Sequence, residues 1–215
     1  MGKLTTFWTH FEVEKKHDID RDAPYVWIFG IVVDVLRVAN YKKDSGTADF
    51  VITRKATWPN LGNDKFGKGD WVNVSPALNI DEVMALPITG GVAVVAWEGA
   101  LTSASTQKEA YDAAVSAINK FIGEKVDECW SDISGCVENG VALSPADQEA
   151  LRSRVENAVR DVFKSHVNLI HDHNIGSAQC VVSIDAAKSQ HQDLNFVFDN
   201  GGTRYVLKGD LRYAP

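Results

Sequence analysis

The hydrophobic pattern changes its period twice along the chain, and this constrains the fold more than any other feature. The first hundred residues read as strands, and in Phe7 to Val13 apolar and polar positions alternate, which is typical of a half-buried strand. From Thr106 to about Ile133, and again from Ser144, apolar residues recur every three or four positions, which predicts amphipathic helices. From Ala178 onward the alternation returns.

This order of elements predicts the fold class. Because consecutive strands without helices between them favour antiparallel pairing, we expect an α+β fold: an antiparallel β-sandwich with an inserted pair of long amphipathic helices. We expect a single domain over 1–215, with a β-rich part at 1–104, a helical hairpin at 105–175 and returning strands at 176–215. A chain of this length buries roughly 70% of its unfolded surface, so folding requires neither disulfides nor a metal.

Both predicted helices carry recognisable start signals. Thr106 and Glu109 have the spacing of a capping box. Ser144 is a natural N-cap, and Pro145 suits the first helical position. The apolar stripe of the second helix predicts that it ends near Asn174.

The strand segments differ in how they are expected to be covered. Tyr25 to Val33 is apolar on both faces, which predicts a central strand buried on both sides. Asp199 to Gly202 reads as a tight hairpin turn, and Thr203 to Tyr213 as the closing strand.

The six tryptophans divide into core and surface candidates. Trp27, Trp71 and Trp97 lie in predicted strands, so we expect them in the core. Trp58 lies in a loop rich in proline and glycine and is the candidate ligand-binding residue. An exposed indole stacks on a sugar or enters a membrane interface; the alternative is that Trp58 closes over its own loop.

Charge and hydropathy exclude some partners and predict a location. The net charge of −7 repels phosphate backbones, so nucleic acid is not an expected partner. The longest apolar run, at 25–33, is too short to span a bilayer as a helix, so we expect no transmembrane segment. No apolar signal segment is visible, so we expect a cytoplasmic protein, with non-classical export as the alternative.

The three cysteines, Cys129, Cys136 and Cys180, are too few to form a disulfide scaffold. We expect three reduced thiols. The alternative is a bond between Cys129 and Cys136, which requires a turn between them.

Three short motifs occur in a fixed order along the chain. Asp22 to Tyr25 reads D-x-P-Y at the start of a strand, Gly69 to Val74 holds a short G-D strand, and Tyr205 to Gly209 reads Y-x-L-x-G in the closing strand. In this order they resemble a loose set of bacterial β-rich, sandwich-like proteins of unassigned function. The resemblance implies a β-rich scaffold and transfers no catalytic or ligand-binding residue.

Two patterns are metal candidates. Asp18, Asp20 and Asp22 alternate within a turn, where carboxylates converge on a hard cation such as Ca²⁺; the alternative is a solvated acidic turn. His171 and His173 have a spacing that suits zinc or another transition metal, although a histidine at a helix C-terminus is also favoured by the helix dipole. Further calcium ligands to consider are Asn63, Asp64 and Asp70.

No catalytic motif is present, and we predict no catalytic residue: the chain lacks G-x-S-x-G, P-loop, H-E-x-x-H and G-x-G-x-x-G patterns. This favours a non-enzymatic binding or interaction protein with a β-sandwich body, whose ligand is a glycan, a lipid or a protein. The alternatives are a membrane-active, toxin-like protein that inserts its helical hairpin, and a metal-assisted hydrolase of unrecognised type. A further alternative is a structural or self-associating protein, in which sheet edges or the helices form a homo-oligomer.

Overall fold

Long strands and three α-helices make up most of the described chain. The computed structural model describes residues 1–16, 24–43, 49–53, 66–98, 103–130, 141, 143–166, 173–200 and 202–215. The strands are β1 (Gly2–Lys15), β2 (Pro24–Asp34), β3 (Val51–Thr53), β4 (Trp71–Asn73), β5 (Asp81–Met84), β6 (Pro87–Glu98), β7 (His173–Ser183), β8 (Gln190–Asn200) and β9 (Thr203–Ala214). The helices are α1 (Val35–Lys43), α2 (Ala104–Trp130) and α3 (Pro145–His166), and Pro76–Leu78 forms a 3₁₀ turn.

The first sheet has the strand order β4-β1-β9-β8, and β5 also pairs with β1. All of these pairs are antiparallel. A bulge shifts the β1–β9 register between Trp8 and His10. The predicted hairpin joins β8 and β9, but β8 continues to Asn200, which pairs with Thr203. Gly202 adopts φ of 93°, a left-handed conformation that glycine reaches without steric cost.

The second sheet has the order β3-β2-β6-β7 and is also antiparallel. Every residue of β2 is buried, which confirms the predicted strand with two covered faces. The fold is therefore α+β with two antiparallel sheets, consistent with a β-sandwich.

Two hydrophobic cores share the second sheet. The first lies between the two sheets and includes Leu4, Phe11, Ile28, Val94, Phe196 and Leu207. The second lies between the other face of the second sheet and helices α2 and α3, and includes Phe29, Trp97, Ile118, Phe121, Val155 and Phe163. The molecule is thus layered as first sheet, second sheet and helices.

The helix ends correct several predictions. The N-cap of α2 is Ser103, not Thr106: the Ser103 Oγ accepts from the Thr106 N–H at 3.2 Å. Ser144 caps α3 as predicted, because its Oγ accepts from the Asp147 N–H at 3.1 Å. The predicted end of the second helix near Asn174 is wrong.

Asn174 belongs to β7, where it pairs with Trp97 of β6. The returning strands therefore begin at His173 and not at 176. The apolar period of the preceding helix runs on in the sequence, but pairing with a distant strand overrides this local pattern.

Helix α1 was missed by the sequence analysis. It begins directly after β2, where the Asp34 Oδ1 accepts from the Arg37 N–H at 2.8 Å. An aspartate before a helix is a strong N-cap, and Val38 and Tyr41 are the buried residues of the helix. Asp34 was therefore the residue from which the start of α1 could have been predicted.

The cysteines also differ from expectation. Cys129 is disulfide-bonded, so the prediction of three reduced thiols is wrong for this residue. Cys180 is free. Cys136 lies outside the described residues.

Candidate functional site

Most of the predicted site residues lie outside the described ranges. These are Trp58, the Asp18, Asp20 and Asp22 calcium candidates, Asn63, Asp64 and His171. His173 is described as the first residue of β7. Within the described residues no group of three or more His, Cys, Asp and Glu side chains could hold a metal. The Asp70 carboxylate accepts from the Gly67 N–H at 2.7 Å, a local turn contact.

Trp71 is not in the core, contrary to the prediction. It lies on β4, at one end of the first sheet, and 63% of its side chain is exposed. The sequence held the signal: Val72 and Val74 alternate with Trp71 and Asn73, and Val72 packs against the inter-sheet core. Because successive side chains of a strand point to opposite faces, Trp71 shares the outer face with Asn73.

The outer face of the first sheet carries exposed apolar side chains. Both faces of the second sheet, and the inner face of the first, line the two cores. On the outer face Phe7 is 43% exposed and Val197 is 40% exposed, in addition to Trp71. We call the outward-directed residues of β4, β1, β9 and β8 the open face.

Strand register brings distant residues of the open face together. One cross-strand row runs Trp71, Glu12, Val206 and Val197. The next row runs Asn73, His10, Lys208 and Asn195. Directly opposed residues of antiparallel strands have Cβ atoms about 5 Å apart, so Trp71 lies directly beside Glu12. His10 and Asn73 are in the next row, and Lys208 and Asn195 lie one and two strands beyond His10.

The bulge in β1 shapes this neighbourhood. It falls immediately before His10, whose ring meets the Trp71 ring edge-on at 76°, with centroids 6.4 Å apart. The Thr9 hydroxyl donates to the Lys208 carbonyl at 3.0 Å, tying β1 to β9. Bulges often re-aim side chains beside functional sites, and here the bulge places an imidazole against the indole.

The polar groups around Trp71 differ from the rest of the open face in their bonding. Elsewhere on the face charges are paired, as in Glu14–Arg204 at 2.7 Å and Asp210–Arg212 at 2.6 Å. Within the described ranges, four side chains of these two rows form no hydrogen bond or ion pair: Glu12, Asn73, Asn195 and Lys208. Glu12 and Asn73 are the ones next to Trp71. Donors and acceptors are therefore available to a ligand beside the indole.

A second concavity lies beside α1 and was not predicted. This cleft of about 630 Å³ is lined in part by Asp34, Arg37, Tyr41 and Asp49. The Arg37 guanidinium contacts the Glu82 carboxylate at 2.9 Å and the Asp49 carbonyl at 2.6 Å. Burial, followed by the hydrogen bond to Asp127, raises the pKa of Tyr41. The Asp34, Arg37 and Tyr41 side chains of this cleft thus bond to other groups of the protein. The cleft is therefore a weaker candidate than the open face.

The helices and the comparisons with known proteins give two further results. No helix in the described part of the chain is both long and apolar enough to cross a membrane. No protein-family model matches the chain, and neither curated proteins nor solved structures provide a match.

Proposed function

We propose that this chain is a non-enzymatic binding protein that binds a glycan on the open face, with Trp71 as the stacking platform. The observation that carries the proposal is an indole 63% exposed beside unbonded polar side chains. A pyranose ring has an apolar C–H face and a rim of hydroxyls. The C–H face packs on an aromatic ring. The hydroxyl rim needs donors and acceptors such as those of Glu12, Asn73 and Lys208.

The other ligands have less support. A membrane surface rich in anionic lipid would meet a chain of net charge −7, whose open face carries the acidic residues Glu12, Glu14 and Asp210. A large contiguous apolar patch would mark a protein-binding surface, whereas the exposed apolar side chains here are separated by charged ones. Both ligand classes remain outcomes of the test.

We assign a covering role to α2 and α3, the inserted helical pair. Their apolar side chains, including Ile118, Phe121 and Phe163, are buried against the second sheet. Detaching them would expose this surface and Trp97, at a cost of roughly 25 cal/mol for each Å². This supports binding over membrane insertion.

The first test is a glycan array followed by calorimetry. We expect binding to a subset of neutral or amino sugars, with Trp71→Ala weakening it at least tenfold, a loss of about 1.4 kcal/mol or more. Phe7→Ala is the matched control, since Phe7 is an exposed aromatic on the same face whose ring is covered by the Arg212 guanidinium at 4.9 Å. It should bind normally.

A blank array, or equal binding by wild type and Trp71→Ala, would contradict the proposal. Binding to lipid vesicles or to a protein in parallel assays would then identify the ligand class. Circular dichroism of each variant guards against misfolding, which is not expected for an exposed side chain.

A further inference from the structure

The free edge of β8 is the second unexplained feature of the first sheet. β8 pairs with β9 from Gln190 to Asn200 without a register shift. On its other edge, no backbone partner is present in the ranges that the structure describes. Because hydrogen-bonded and non-bonded pairs alternate along an antiparallel ladder, every second residue of β8 directs its N–H and C=O away from the sheet.

The turn indicates which residues face outward. Asn200 and Thr203 flank a two-residue turn, and such flanking residues form a hydrogen-bonded pair. Phe198, Phe196 and Leu194 then also bond to β9. The outward-directed backbone groups belong to the residues between them: His191, Asp193, Asn195, Val197 and Asp199.

The corresponding edge of the second sheet is protected. At β7 the Ser177 N–H donates to the Glu156 carboxylate at 2.9 Å, and the Gln148 side chain donates to the Val181 carbonyl at 3.1 Å. Side chains of α3 therefore satisfy the β7 backbone. On β8 the described residues supply one such bond, from the Gln192 side chain to the Asp193 carbonyl at 3.1 Å. The β8 sequence lacks the proline and lysine that natural proteins use to block edge pairing.

We propose that β8 pairs antiparallel with β8 of a second copy, about a two-fold axis at Asn195. In such a pair, residues whose backbone groups point outward on one copy lie opposite residues of the same kind on the other copy. Because these are alternate residues, the two-fold axis passes beside a residue and not between two residues. Centred on Asn195, the register places His191 of each copy opposite Asp199 of the other. Within its own chain His191 lies 3.4 Å from the Asp193 carboxylate, and Asp199 lies 3.6 Å from the Arg204 guanidinium. Centred one residue later, it would oppose Asp193 and Asp199, and like charges directly opposite are destabilising.

The pairing makes one continuous sheet, and self-complementary two-fold contacts are the commonest kind in homo-oligomers. The open faces of the two copies join, and their Trp71 platforms lie seven strand spacings apart, on the order of 34 Å. A ligand with repeated sites would then be held at both platforms, with a gain from avidity. The pairing itself holds whether or not Trp71 binds a glycan.

Sedimentation velocity over a concentration series tests the association. We expect the wild type to shift from 23.6 kDa towards twice that mass as concentration rises. Asn195→Pro removes the central outward N–H and should stay monomeric, since proline is tolerated on a free edge. Asn195→Ala is the matched control: it loses the side chain but keeps the N–H, and should associate like the wild type.

Charge exchange tests the register. His191→Asp should weaken association several-fold, and the double variant His191→Asp/Asp199→His should restore it. Failure of the double variant to recover would overturn this register. A wild type that stays monomeric at several hundred micromolar, or Asn195→Pro that associates normally, would overturn the pairing.

Hydrogen exchange gives a readout that does not depend on any variant folding. The amides of Asp193, Asn195 and Val197 should become protected as the wild-type concentration rises. Rapid exchange of these amides at every concentration would contradict the proposal.

Discussion

At the scale of single residues, exposure and bonding decide which side chains have a role beyond folding. Trp97 and Trp71 both lie in strands, yet Trp97 is fully buried and Trp71 is 63% exposed. The difference follows from the coverage of each strand face, not from the residue type. An exposed indole beside unbonded polar groups offers a ligand an apolar surface together with donors and acceptors.

The cysteines give a prediction at this scale. Burial raises the pKa of the Cys180 thiol, which lowers its thiolate fraction at neutral pH and hence its reactivity. We expect iodoacetamide to modify Cys180 slowly in the folded protein and rapidly after denaturation. We also expect non-reducing peptide mapping to find Cys129 linked to Cys136.

Two results would contradict this prediction: three thiols that react in the folded protein, or a Cys180-containing disulfide. Denatured, unreduced protein should show one reactive thiol, and reduced protein should show three.

At the scale of elements, short sequence patterns predicted those features that depend only on residues close together in the sequence. The N-cap at Ser144 and the two-sided burial of β2 were readable because capping and hydrophobic period act over a few residues. The start of β7 was not predicted, because it depends on pairing with a strand distant in sequence. The outward face of Trp71 was missed although the local alternation with Val72 and Val74 indicates it. The open face itself is assembled from β1, β4, β8 and β9. The turn at Asp199 to Gly202 encodes the β8–β9 pairing, but no short pattern encodes the pairing of β1 with β4 and β9.

The junction of α2 and α3 gives a prediction at this scale. Asp147 accepts from the Ser144 hydroxyl at 2.7 Å and contacts the Lys125 ammonium of α2 at 2.8 Å. The hydrogen bond to Lys125, followed by that to Ser144, lowers the pKa of Asp147. Its ionised form therefore stabilises the fold above the unfolded pKa of about 3.9, and this contribution disappears as pH falls through the lower folded value.

We expect Asp147→Asn to lower the free energy of unfolding by about 1 kcal/mol at pH 7. The deficit should shrink below pH 4 and vanish once the wild-type carboxylate is protonated. Urea titrations at several pH values measure this. Asp112→Asn is the control, since Asp112 contacts Lys108 at an exposed helical surface and should change stability little. A deficit that is independent of pH would contradict the ionic interpretation.

At the scale of the whole molecule, the three layers form a continuous structure through the second sheet. Its strands contribute to both cores, so loss of either core exposes the same strands. We therefore expect one cooperative thermal transition, in which helix signal and tryptophan fluorescence change together. Ile118→Ala, at a fully buried position of α2, should lower stability by about 2–4 kcal/mol without splitting that transition.

The same layering predicts the outcome of a membrane assay. Dye-loaded vesicles of mixed neutral and anionic lipid should stay intact with the protein at neutral and acidic pH. Leakage of the vesicles would show that the helices detach and would favour the toxin-like alternative. In the thermal experiment, a helix signal that persists after the tryptophan signal is lost would favour the same alternative.

The measurement that tests the central claim most directly is a glycan titration followed through the indole N–H resonances of the six tryptophans. Trp71→Phe assigns the Trp71 resonance by its disappearance. We predict that saturating sugar, identified on the array, shifts the Trp71 resonance while those of buried Trp27 and Trp97 stay in place. Saturable binding that leaves Trp71 unmoved, or no binding by any sugar, would contradict the account.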